Sequence, residues 1–104
     1  MINYFIILAI MDLLFKPPFR KFVKKQSRPF QLAIEDEVED ILNDPDIGEA
    51  KKGDLLGFNV HKFNFKGQQF LIVYLSETNN IILYMIGSHE NFYLKLKRYL
   101  KGTE

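Results

Sequence analysis

Residues 58–86 read FNVHKFNF, KG, QQFLIVYLS, ETNN, IILYMI. Three apolar segments are separated here by two polar, turn-forming breaks. The first strand covers Phe58–Phe65 and Lys66-Gly67 makes a tight turn. Phe70–Leu75 is apolar without interruption, which predicts a central strand covered on much of both faces. Glu77-Thr78-Asn79-Asn80 is a second turn and Ile81–Ile86 a third strand. Connections this short force neighbouring strands to run antiparallel, so the stretch predicts a three-stranded meander. Extended by a residue at each end, its second and third strands are expected at 69–76 and 80–87.

Upstream of the meander the apolar period changes from 2 to 3.6. Phe19, Phe22 and Val23 fall at i, i+3 and i+4 after Lys16-Pro17-Pro18, and proline is accepted in a first helical turn. A helix is expected from about Pro18, broken at Ser27-Arg28-Pro29. A second helix is expected from about Pro29 to Leu42. Ile34, Val38, Ile41 and Leu42 form its apolar stripe, and Glu35, Asp36, Glu37, Glu39 and Asp40 its exposed side. Asn43-Asp44-Pro45 ends it. Downstream, Gly87-Ser88 closes the last strand and Ser88 is the expected N-cap of a helix over about His89–Lys101. Phe92, Leu96, Tyr99 and Leu100 would form that helix's apolar face. The fold class is therefore α+β in two layers: an N-terminal helical pair, an antiparallel meander and a C-terminal helix.

The 104 residues fit one domain, and 47% apolar content with ten Phe and five Tyr supplies an aromatic core. There is no cysteine, which excludes a disulfide scaffold, a zinc–thiolate site and cysteine nucleophile chemistry, and fits a reducing cytoplasm. Two histidines are too few for a histidine-rich metal site. Neither a metal nor another cofactor is expected. Residues 1–10 are apolar apart from Asn3, half the roughly 20 residues needed to span a bilayer. Positive charge follows this run instead of preceding it, unlike a signal peptide. Met11 offers an alternative start, making residues 1–10 an upstream extension. If they belong to the protein, they are expected to add a strand or cover a sheet edge.

A net charge of +1 makes no global case for a nucleic-acid partner, but the charge is segregated. Lys16–Arg28 holds six basic residues and no acidic one; Glu35–Asp54 holds nine acidic residues and two lysines; Lys95–Lys101 is basic again. These runs are either solvated helix faces or one basic and one acidic side of the molecule.

Two places could carry chemistry. The first is Gly87-Ser88-His89-Glu90-Asn91-Phe92-Tyr93, where a strand hands over to a helix and unpaired N–H groups attract phosphate. On a helix starting there, His89 and Tyr93 would stand on one row that Lys97 continues. A neutral histidine suits a general base near pH 7. The plain alternative is a capping histidine beside a half-buried tyrosine. The second place is Val60-His61-Lys62, where strand alternation sends His61 and Lys62 to opposite faces, one of them joining Lys66 or Lys51 on the open side of the sheet. Its plain alternative is an ordinary strand with polar residues, and that of Lys51-Lys52 a solvated turn. The chain has no Walker-type loop, no Gly-x-Ser-x-Gly elbow and no His-Glu-x-x-His site.

Phe19-Arg20-Lys21-Phe22-Val23-Lys24-Lys25 resembles the N-terminal helix signature of RelE/ParE-family toxins of type II toxin–antitoxin systems. Pro45-Asp46-Ile47-Gly48-Glu49 and Lys51–Phe58 are similar to their loop into the sheet. Val60-His61-Lys62-Phe63, Gln68-Gln69-Phe70-Leu71 and residues 87–93 complete the resemblance, in order, from Phe15 to Leu100. The resemblance implies a cytoplasmic toxin whose partner is a cognate antitoxin. For the RelE branch it implies a ribosome-dependent mRNA endoribonuclease that inhibits translation, with mRNA and ribosome as further partners. There, an activated 2′-hydroxyl attacks the adjacent phosphate. By position it implies a phosphate-stabilising Lys62, a substrate-stacking Tyr93, and His89 where some members have a catalytic Arg or His. Lys51, Lys52, His61, Lys66, Gln69 and Lys97 would then contact RNA. Gln69 stands where RelE carries a sheet arginine, and Leu75 where many relatives carry another; an amide stabilises phosphorane charge far less than a guanidinium. The ParE branch implies instead a non-enzymatic toxin that binds DNA gyrase. A third implication is an inactive relative that only binds an antitoxin.

Overall fold

The computed structural model describes residues 12–102. Residues 1–10, expected to add a strand or cover an edge, lie outside them. In chain order the elements are β1 (Asp12–Phe15), α1 (Pro17–Lys24), α2 (Arg28–Asn43), β2 (Glu49–Ala50), a 3₁₀ turn (Gly53–Leu55), β3 (Phe58–Phe65), β4 (Gln68–Ser76), β5 (Asn80–Ser88) and α3 (Phe92–Leu100). The sheet order is β1-β5-β4-β3-β2.

The expected meander forms. β3 pairs antiparallel with β4, and β4 with β5. Lys66 and Gly67 both take positive φ, 50° and 81°, as a type I′ hairpin turn requires. The meander is not the whole sheet. β1 adds a strand parallel to β5, Asp12 opposite Asn80 and Phe15 opposite Leu83, and β2 extends the other edge. Between Val73/Tyr74 and Met85/Leu83 the register slips, so Tyr84 is the extra residue of a β-bulge.

The helical pair also forms. Pro17 and Pro18 open α1, and Lys21 and Lys24 sit in its last turn, where cations suit the helix dipole. At the start of α2 the Phe30 N–H donates to the Ser27 hydroxyl (3.4 Å). The side-chain amides of Gln26, in the link, and Gln31, in α2, donate to the Phe22 and Val23 carbonyls of α1's last turn (2.9 and 2.8 Å). The buried stripe of α2 is Phe30, Ile34, Val38 and Ile41; Leu42, expected in it, is half-buried at its border.

Alternation along β4 divides the core. Phe70, Ile72 and Tyr74 join Phe19, Phe30, Ile34, Val38 and Ile41 beneath α1 and α2. Leu71 and Val73 join Val60, Leu55, Met85, Phe92 and Leu96 beneath α3. The arrangement is thus helices, sheet, helix, one layer more than expected, because the uninterrupted run of β4 has apolar residues for both faces. The first core is aromatic at its centre. The Phe30 ring stacks on Phe65 (centroids 4.5 Å apart) and tilts against Phe70 (4.7 Å).

One local expectation is corrected. Ser88 does not cap a helix: it is the last residue of β5, opposite Phe70. The helix begins at Phe92 after Asn91, which takes a left-handed conformation (φ 58°) with no side-chain cap. His89 therefore lies in the bend before the helix, off the row that Tyr93 and Lys97 share. Gly87, next to last in β5, lies against the Phe92 ring: a Cβ there would be in ordinary contact with it at 3.6 Å.

Candidate functional site

The site is built on the α3 side of the sheet. On β3, Val60 packs beneath α3 while His61 and Phe63 face α2, so Lys62 points to the α3 side, where it is exposed. Backbone pairing puts Lys62 opposite Leu71, and Leu71 opposite Gly87. Gln69 shares the face of Leu71 and is exposed.

Tyr93 is half-buried in the first turn of α3, its ring edge-on to Phe92 (5.4 Å). The Lys51 ammonium lies 5.2 Å from the centre of that ring. The His89 ring stands edge-on at 6.5 Å. Lys51 arrives from the segment after β2, whose Glu49 carboxylate is 3.6 Å from its Nζ. A planar ring thus carries a cation on one side and an imidazole at its edge, over a face that also holds Lys62. Lys62 has no ion-pair partner among the described residues.

The other expected residues divide. His61 is on the opposite face, only 9% exposed, its Nε2 2.7 Å from Glu37 Oε1 of α2. This joins helix to sheet and takes His61 out of the open-face set, as alternation demands once Lys62 faces α3. Lys66 lies in the hairpin turn over the Phe65 ring (5.5 Å). Lys97 meets Asp54 of the 3₁₀ turn at 3.6 Å, both largely exposed, a pair worth little to stability in water. Lys52 is exposed at the start of that turn.

Sequence reasoning missed Tyr84. The bulge presents it to the α3 side, where its ring meets Phe58 edge-on (5.0 Å) and the Lys16 ammonium (5.4 Å). No periodicity signals such a residue, because the bulge itself breaks the period. Among the described residues, no cluster of three His, Asp or Glu could hold a metal ion, and no helix is long and apolar enough to cross a membrane.

This fold, with basic and aromatic side chains on the α3 side of its sheet, defines a class. Residues 13–97 match the family described as ParE-like toxin of type II bacterial toxin-antitoxin system. The chain belongs to that family. Solved structures share the fold at low identity. The intact E. coli RelBE toxin–antitoxin complex matches with a TM-score of 0.60 and 19% identity, over 75% of this chain and 95% of that one. A free double arginine-to-alanine mutant of E. coli toxin RelE gives 0.65 and 15%, over 86% and 94%. A copper-bound point mutant of a Helicobacter pylori toxin gives 0.52 and 22%, over 79% and 98%. No curated protein matches the sequence.

Proposed function

We propose that this toxin is an endoribonuclease acting on translated mRNA in the cytoplasm, with Tyr93, Lys51, His89 and Lys62 around the scissile phosphate. The observation that carries the reading is that Lys51 and His89 both meet the Tyr93 ring, on the face that also presents Lys62. A base stacks on the tyrosine. His89 takes the proton of the 2′-hydroxyl, the 2′-oxygen bonds to phosphorus, and the bond from phosphorus to the 5′-oxygen breaks. Lys62 and Lys51 stabilise the charge gathering on the phosphate oxygens, and the leaving oxygen collects a proton from imidazolium or water. Because Gln69 contributes no charge, the site is weak toward free RNA, and a ribosome must hold the message in place.

The partner is an antitoxin that masks the toxin's basic surface. A groove of about 340 Å³ between β1, α1 and α2 is floored by Phe19, Val23, Ile34 and Val38 and lined by Arg20, Lys24 and Arg28 against one acid, Glu35, among its described residues. An amphipathic helix with acidic residues flanking its apolar face fits it.

The test is primer-extension mapping of mRNA breaks after induction, beside a supercoiling assay with purified gyrase. Breaks lost in Tyr93→Ala and His89→Ala support the reading. Inhibited supercoiling with no mRNA breaks replaces it with the gyrase-binding reading, which the family description and the uncharged Gln69 favour. Failure to co-purify with the product of an adjacent gene counts against the antitoxin.

A further inference from the structure

Two basic clusters far apart in sequence converge on one cleft. Lys21 of α1 and Lys25, just past its end, face Lys95 and Arg98 of α3 across a cavity of about 460 Å³. Met85–Ser88 of β5, with Phe22 and Phe92, line it between them, and Glu90 is the one carboxylate among its described lining residues. The cleft exists because β1 stops pairing with β5 at Leu83. Beyond that point β5 has no strand on that side among the described residues, and α1 packs along it instead. Lys21, Lys25 and Lys95 are exposed and have no ion-pair partner among the described residues.

Gly87 and Ser88 line the cleft. Gly87 also ends the cross-strand row Lys62, Leu71, Gly87 of the candidate site. The two places are therefore joined by the end of one strand. Cations on two walls, with a single acid among the described lining residues, create a local positive potential that focuses on a chain of negative charges.

We propose that this cleft binds the phosphodiester backbone of single-stranded RNA, continuing the path of a strand whose base lies on Tyr93. It rests on the nuclease reading for the direction of the strand. Lysines suit the role because each acts as a mobile point charge on phosphate and asks nothing of base identity. The binding is therefore independent of RNA sequence and sensitive to salt.

The experiment measures anisotropy of a short fluorescein-labelled single-stranded RNA with the purified full chain across a salt series. The triple variant Lys21→Gln, Lys25→Gln, Lys95→Gln is compared with the parent, with circular dichroism to confirm the fold. Each phosphate contact on a single strand contributes about 0.7 to the slope of log K against log salt, so losing three lowers it by about 2. From a common value at 1 M salt, that is on the order of 100-fold weaker binding at 0.1 M. A slope unchanged in the triple variant overturns the proposal even if the parent cuts mRNA. A slope reduced as expected in a protein that makes no mRNA breaks upholds the cleft and overturns the nuclease reading alone. Antitoxin binding lost in the triple variant with RNA binding intact also overturns it, in favour of a protein-docking cleft.

Discussion

Tyr74→Phe removes one oxygen and two hydrogen bonds. The phenol of Tyr74, fully buried on β4, donates to the Pro45 carbonyl at 2.6 Å and accepts from the Gly48 N–H at 3.1 Å. These bonds hold the loop between α2 and β2 against the sheet. A net hydrogen bond contributes about 1 kcal/mol, and a partner left buried and unpaired costs more. Pro45 and Gly48 are only half-buried, so water replaces part of the loss. The expected cost is about 1–2 kcal/mol. In a domain of this size that lowers Tm by roughly 4–16 °C. Urea denaturation should show a lower midpoint with an unchanged slope. A companion change tests the geometry. A Cβ on Gly48 would lie 2.8 Å from the Tyr74 hydroxyl and 3.1 Å from the Val60 carbonyl carbon, so Gly48→Ala is destabilising. It should be partly less so in the Tyr74→Phe background, where the hydroxyl contact is gone and the ring carbon at 3.0 Å remains. A Tyr74→Phe protein within about 0.5 kcal/mol of the parent would refute the reasoning, since that is the range of a surface change.

Burial raises the pKa of Tyr74 above its ordinary 10.0, opposed by the Gly48 hydrogen bond and reinforced by Asp46 and Asp44. The folded state then keeps a proton that the unfolded chain releases, so this stabilisation is complete below pH 10 and is lost as pH rises beyond it; alkaline melts should show the loss in the parent and less of it in Tyr74→Phe. Glu37→Ala leaves His61 buried without its partner and should cost about 1–2 kcal/mol, read as a denaturation midpoint. His89→Ala should relieve growth arrest while fold and antitoxin binding persist, with mRNA cleavage falling by roughly 10²–10⁴ if the imidazole is the base. Tyr93→Phe should be milder than Tyr93→Ala if stacking is what matters, and equal to it if the hydroxyl is the acid. Lys62→Ala should weaken RNA binding with a salt slope reduced by about 0.7.

The elements that were legible in the sequence are those whose pattern repeats. β4 is apolar at six successive positions, Phe70–Leu75, and a run that short between two turn signals reads as a strand with cover on both sides. Alternation likewise put His61 and Lys62 on opposite faces without saying which face held α3. Single-residue signals misled. Ser88 has the chemistry of a helix cap, but the ladder to Phe70 continues through it, and pairing outweighs local capping preference. That displacement moved His89 off the helix, yet the bend still brings its ring to Tyr93. β1 was hidden because four residues following an apolar run carry no boundary of their own. Lys51 over Tyr93 joins residues distant in the chain, and no local pattern encodes such a meeting. The family resemblance supplied the toxin fold; it did not supply the cleft between α1 and α3.

The parallel pairing of β1 with β5 also sets an order of events. A hairpin can zip as soon as its turn forms, but Asp12 finds its partner only when Asn80 has been made and placed. The loop that must close contains both N-terminal helices and most of the meander, so its entropy is spent late. Synthesis proceeds from the N-terminus. The strand made first thus waits for the one made last, and α1, which packs along β5, waits with it. A ribosome that stalls anywhere before residue 88 leaves a chain without α3, with part of β5 missing and with no cleft. On the reading proposed above, the cleft and the candidate site are complete only in the finished molecule, and an antitoxin made alongside it has the whole of that interval to be ready.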